Sequence, residues 1–116
     1  MANLKKQGFG SPASPFEKGT IESVMLAGLS VNRETLQPGW KWSKHVKPIA
    51  KTESCQKWHV KYILSGKQMI VMNDGKQVML EPGDVAIIPP GHDAWVVGNG
   101  PNVLLELIGA VKQLEE

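Results

Sequence analysis

One run, Gly83-Asp84-Val85-Ala86-Ile87-Ile88-Pro89-Pro90-Gly91-His92-Asp93-Ala94-Trp95, constrains this chain more than any other. A turn, a short apolar strand and a rigid Pro-Pro-Gly corner follow one another in it without a gap. Pro82-Gly83 suits a type II turn, which needs φ > 0 at its third position, and Val85 to Ile88 are β-formers in a run too short for a helix. A strand held between two tight corners belongs at the rim of a β-barrel.

The rest of the chain repeats that punctuation. Strands are predicted near Thr20 to Leu29, Val31 to Leu36, Lys41 to Lys47, His59 to Leu64, Lys67 to Met72, Lys76 to Leu80, Val85 to Ile88, Ala94 to Val97 and Val103 to Ile108. Asn73-Asp74-Gly75 is a hairpin signal, and Pro38-Gly39, Ser65-Gly66, Pro82-Gly83 and Asn99-Gly100-Pro101 mark further corners. Many short strands with regular turns predict an all-β sandwich or barrel. At 116 residues and 41% hydrophobic content the chain is one domain, residues 20–116, behind a loose Gly-, Ser- and Pro-containing arm, residues 1–19. The tail from Gly109 to Glu116 has helical composition but needs docking to be stable.

No segment is long and apolar enough to span a membrane, and the arm has no apolar run of a signal peptide, so a cytoplasmic location is expected. A net charge of +2 gives no case for nucleic-acid binding. The charge is uneven, however: Lys41, Lys44, Lys47, Lys51, Lys57 and Lys61 face one acid, Glu53, a cluster suited to a small anion. Cys55 is the single cysteine, which excludes an internal disulfide and a multi-cysteine zinc site.

Two stretches resemble the cupin superfamily. Its first motif is a glycine, five residues, His-x-His, a spacer, Glu, six residues and a glycine. Here Gly39, His45 and Gly66 keep the frame, Lys47 stands at the second histidine, and His59 stands at the glutamate. In the second motif Gly83, Pro89 and Gly91 match, Ala94 replaces the histidine, and His92 lies two residues earlier. The resemblance covers about residues 22 to 108 and implies a single-domain jelly-roll β-barrel. Gly39 to Pro48, Ser54 to Gln56 and Pro90 to Trp95 are similar to small bacterial cupins of unassigned function.

Side-chain alternation then assigns faces. With His45 inward on a strand, Lys41, Ser43 and Lys47 share its face, while Trp40, Trp42 and Lys44 point away. With His59 inward, Lys61 and Ile63 are inward and Val60, Tyr62 and Leu64 make an apolar outer face. That face, with Trp42, predicts a homodimer; the N-terminal arm is the other cover available.

The resemblance implies a divalent transition metal, Zn, Fe, Ni, Mn or Cu, with His45 and His59 as ligands. A third ligand comes from His92, or from Cys55 or Glu53. Without a metal, His59 is a hydrogen-bonded cavity histidine, His92 a rim residue contacting Asp93, and Cys55 a packed thiol with no base assigned to it. His45, Lys47, His59, Lys61, His92 and Trp95 are the candidate cavity residues. Their lysines and imidazoles suit a small anionic ligand, with Trp95 or Trp40 as an aromatic wall or as core filling. The function expected is binding of a small, acidic molecule in the barrel. The alternative is a metal-dependent oxygenase or isomerase using the same cavity, and no nucleophile or acid–base pair in the sequence names a reaction.

Overall fold

The computed structural model describes residues 3–10 and 13–108. The expected helical tail from Gly109 to Glu116 lies outside the described residues. Eleven elements follow in order: β1 (Ser14–Phe16), β2 (Gly19–Leu26), β3 (Leu29–Leu36), α1 (Trp42–His45), α2 (Lys47–Ala50), β4 (His59–Ser65), β5 (Lys67–Met72), β6 (Gln77–Leu80), β7 (Val85–Ile88), β8 (His92–Val97) and β9 (Asn102–Leu107). The strands form two antiparallel sheets, ordered β1-β2-β3-β9-β4-β7 and β6-β5-β8. The fold is an all-β jelly roll, and β1 adds to its edge a strand drawn from the expected arm.

Turn chemistry places most strand ends as expected. Gly83 has φ 92° in the corner before β7. Gly66 has φ 73°, and a Cβ there would collide with the Pro101 carbonyl and the Asn102 backbone. Glycine is therefore needed twice over, for its dihedral and for its missing side chain. One corner differs from expectation. The chain turns at Ala27-Gly28, both with positive φ, and β2 and β3 pair directly from Leu26 and Leu29. Two residues with φ > 0 make the tight hairpin turn whose twist matches the strands, so no strand runs on to Leu29.

The core lies between the sheets. Ile63, Leu104, Leu36 and Ile88 from the larger sheet meet Ile70, Leu80, Ala94 and Val96 from the smaller. β8 alternates cleanly, with His92, Ala94 and Val96 buried between half-buried neighbours. On β4, Lys61 and Ile63 are buried as the alternation predicts.

The segment from Lys41 to Lys47 is a correction. It folds as the helical turns α1 and α2, with Trp40, Trp42 and His45 all buried and Lys41 and Lys44 exposed. No strand can bury positions 40, 42 and 45 together, because 42 and 45 point to opposite faces; on a helix, residues three apart share one. Burying two indoles of roughly 150–250 Å² each is worth several kcal/mol. Asp93 Oδ1 accepts a hydrogen bond from Ser43 N at 3.0 Å and so serves as a cap from another strand. Pro48 sits in the first turn of α2, where its missing N–H costs nothing, and Lys51 in a left-handed conformation ends it. Trp42 is therefore core, not outer surface, and Val60 is likewise covered within the chain.

Candidate functional site

The long connection between β3 and β4 does more than carry two helical turns. It runs beside the open edge of β8, where Val96 N donates to Trp40 O at 3.0 Å and Cys55 N donates to His92 O at 2.8 Å. Gly91 N in turn donates to Cys55 O at 2.7 Å, so Cys55 and His92 form an antiparallel bridge and sit side by side. His59 opens β4, the strand after this connection. The β3–β4 connection, the start of β4 and the start of β8 thus converge. One donor atom each from Cys55, His59 and His92 lies within 4.8 Å of the others.

Both imidazoles are held from behind. His92 is buried, and its Nδ1–H donates to the Pro89 carbonyl at 2.7 Å, which leaves Nε2 with its lone pair free. His59 uses Nδ1 on the Glu106 carboxyl, and its Nε2 is 3.4 Å from Cys55 Sγ. The two rings meet edge to face with centroids 5.2 Å apart. Burial, reinforced by the Lys61 ammonium, pushes His59 down to about 4. Burial also takes His92 down to about 4, against the pull of its hydrogen bond to Pro89. Both rings are neutral at pH 7, the form that binds a cation.

A second layer of polar groups continues from these residues. Glu34 on β3 hydrogen-bonds Glu106, and burial followed by that neighbouring carboxyl raises Glu34 to about 8. Lys61, 5% exposed, donates from Nζ to Gln68 Oε1 at 2.9 Å. Gln68 passes the chain to Asn102 Oδ1 at 2.8 Å, and Asn102 Nδ2 ends it on the Ser65 carbonyl at 3.0 Å. Lys61 makes no ion pair among the described residues. It is a buried cation with donor capacity to spare.

The remaining candidates lie elsewhere. The His45 ring is hydrogen-bonded to the Lys41 backbone and faces Glu17 at 3.7 Å, away from the three-donor cluster. Lys47 Nζ pairs with Glu53 at 3.1 Å beside an outer groove formed with Ser43, Lys51 and Thr52. Trp95 alternates outward from His92 and Ala94 and lies beneath the Lys41 ammonium, 4.9 Å from the ring centroid. His92 is an inner residue, not a rim residue on Asp93. Glu34, Glu106, Gln68 and Asn102 were not singled out from sequence. A period-two reading of β9 puts Asn102, Leu104 and Glu106 on one face, which is the signal that finds two of them.

The donor set fits a divalent metal. Metal–ligand bonds of about 2.0 to 2.3 Å put donors of one ion within about 4 Å of each other, so the three groups need close only slightly. The carboxyl and carbonyl behind the imidazoles are the outer partners that ligating histidines ordinarily have. One thiol and two imidazoles leave a coordination position for a ligand.

A two-sheet jelly roll with inward histidines at one end defines the cupin class of protein. The EutQ-like cupin domain matches residues 40–99, just over half of the chain, and the chain belongs to that family. No curated protein matches it. Among solved structures, the chain is similar to KdgF from Halomonas sp., with 13% identity and a TM-score of 0.64 over 91% of this chain and 92% of that one. It is also similar to the polyketide cyclase RemF from Streptomyces resistomycificus, with 17% identity and a TM-score of 0.63 over 90% and 78%. With oxalate decarboxylase from Lactobacillus farciminis, identity is 22% and the TM-score 0.61 over 83% of this chain, which spans only 30% of that enzyme. These likenesses concern the fold.

Proposed function

We propose that the protein binds a small anionic molecule inside the barrel, on a divalent metal ion held by Cys55, His59 and His92. The observation that carries this reading is the convergence of three donors whose opposite sides are already satisfied. A bound divalent ion supplies Lewis-acid polarisation of a ligand oxygen. The chain's own groups do the rest: Lys61 attracts the anionic head and Gln68 holds the ammonium in place. A thiolate with two imidazoles favours Zn or Cu over Mn. A cytoplasmic location belongs to the same reading, since a reducing compartment keeps Cys55 free as a ligand.

The test is elemental analysis of untagged protein purified without metal resin. About one ion per chain is expected in wild type and in His45→Ala, with loss of the ion in a His59→Ala, His92→Ala double variant. Folded wild type without metal would sink the proposal. For the anion, Lys61→Met should weaken binding of acetate to the metal-loaded protein, and unchanged affinity would remove Lys61 from the account.

A second reading, a metal-dependent isomerase, draws on the carboxyl pair. Glu34 keeps its proton to about 8 beside Glu106 and His59, and a group of that kind can give and take back a proton near neutrality. Exchange of pyruvate methyl protons against D2O, seen by NMR and lost in Glu34→Gln, is the expected sign. No exchange above buffer rates would retire it.

We further infer a homodimer through the outer face of β4 and β7. Tyr62 lies opposite Val85, and Tyr62, Leu64, Val85 and Ile87 are 37%, 43%, 67% and 55% exposed. An apolar patch on an outermost strand is a surface that a second copy covers. Sedimentation at micromolar concentration should give a dimer, and a monomer under those conditions would exclude it.

A further inference from the structure

β6 and β7 are the outer strands of their sheets, and no backbone pairing joins them. The seam between them opens into a cavity of about 260 Å³ lined by Ile70, Met72, Val78, Leu80, Ala86 and Ile88. Register ties this cavity to the three-donor cluster. Ile88 is directly opposite His59, and Met72 is directly opposite His92. Opposed residues on an antiparallel pair project from the same face with Cβ atoms about 4.5 to 5.5 Å apart. A third pair sets Lys61 opposite Ala86, a residue of the same lining. Lys76 stands among the residues around the opening. Residues lining the apolar recess are therefore the register neighbours of the polar head-group partners.

We propose that this seam seats the apolar body of the ligand, so that the molecule recognised is a compact amphipathic monocarboxylate with a short alkyl chain or a single ring. The claim rests on the head-group reading above and adds the substrate class. Charge complementarity sets the orientation: the carboxylate points to the cluster and Lys61, and the hydrocarbon fills the seam, whose lining side chains, Lys76 at the opening apart, are apolar and offer a hydroxyl-rich molecule no partner. Size sets the limit. A cavity of about 150 Å³ takes a benzene ring, so 260 Å³ takes one ring or a short chain, below the usual range of about 300 to 1,000 Å³ for drug-sized ligands. Removing the seam's apolar lining from water drives the binding.

NMR titrations with acetate, butanoate, hexanoate and benzoate, on metal-loaded and on chelator-treated protein, test this. In wild type each added methylene should raise affinity about fourfold until the seam is full, and benzoate should bind more tightly than acetate. Chelation should lower every affinity by a common factor and leave the dependence on chain length intact. Ala86→Phe, which fills the seam, should flatten that dependence. Val78 is 58% exposed, so Val78→Asp tests the seam from its mouth without a core change and should flatten it too. Equal affinities across the series in wild type overturn the seam proposal, as does a length dependence unchanged in both variants. Loss of the common factor alone, with the length dependence kept, refutes the metal reading instead.

Discussion

Glu34→Gln is the perturbation that most directly tests the buried polar layer, through the stability of chelator-treated protein as a function of pH. Glu34 releases its proton near 4.5 in the unfolded chain and near 8 in the fold. Between those values folding takes up a proton, so stability falls as pH rises, by at most about 1.4 kcal/mol per pH unit. From pH 6.5 to 9 the loss saturates, because the folded carboxyl also ionises above 8, and amounts to about 2 kcal/mol. His59 and His92 act in the opposite sense. Their folded values near 4 lie below the ordinary 6.5, so stability is lost as pH falls from 6.5 toward 4. The contribution of these three groups is therefore greatest near pH 6.5, with a shallow acid flank on which Glu34 offsets one of the two histidines. In Glu34→Gln the alkaline decline from this source disappears and the acid flank steepens. Urea unfolding at pH 5, 6.5 and 9 reads both effects, with the slope against urea checking that the two-state transition is unchanged. An alkaline decline of the same size in wild type and variant would refute the proton assignment to Glu34.

Other expectations follow from single contacts. Glu106→Gln keeps the shape behind His59 but weakens its orientation, and a loss of about 10- to 100-fold in metal affinity is expected; competition with a chromogenic chelator measures it, and an unchanged affinity would mean that Glu106 is not a ligand support. Gly66→Ala forces a side chain into the Pro101 carbonyl at a positive φ, which should cost more than about 1 kcal/mol in chemical denaturation; a neutral result would show that the corner relaxes. Gln68→Leu removes the acceptor of the Lys61 ammonium and should destabilise by about 1–3 kcal/mol. Gln68→Leu combined with Lys61→Met should recover much of that loss, and additive losses would break the proposed link.

The glycine corners and the Asn73-Asp74-Gly75 hairpin were legible because their signals are local: a positive φ, or a side chain such as Asp74 accepting from Lys76 N at 2.9 Å, acts within a few residues. Lys61 was legible for a related reason, since strand alternation needs only one correct neighbour. The helical turns at Trp42 were not. Their cause is Asp93 on a distant strand and the demand that Trp40, Trp42 and His45 all be buried, and neither is visible from within the segment. The same limit hid Glu34 and Glu106. Each reads as an acid in a strand of mixed composition until β3, β9 and β4 pair in register and carry Glu34 and Glu106 toward His59.

The displaced histidine has a geometric logic that the motif alone could not express. Ala94 holds the family's histidine position, and His92, two residues earlier, is on the same face because strand side chains alternate with period two. The shift therefore keeps the donor inside the barrel and moves it about 6.6 Å toward the strand's start. That end is where β4 begins with His59 and where the connection from β3 is pinned by Cys55 to His92. With His45 drawn off into a helical turn, a donor left at position 94 would face Ile70, its partner on β5, rather than Cys55. Moving it to 92 restores three converging donors from a different trio, so the weakened motif reports a relocated donor set more than a missing one.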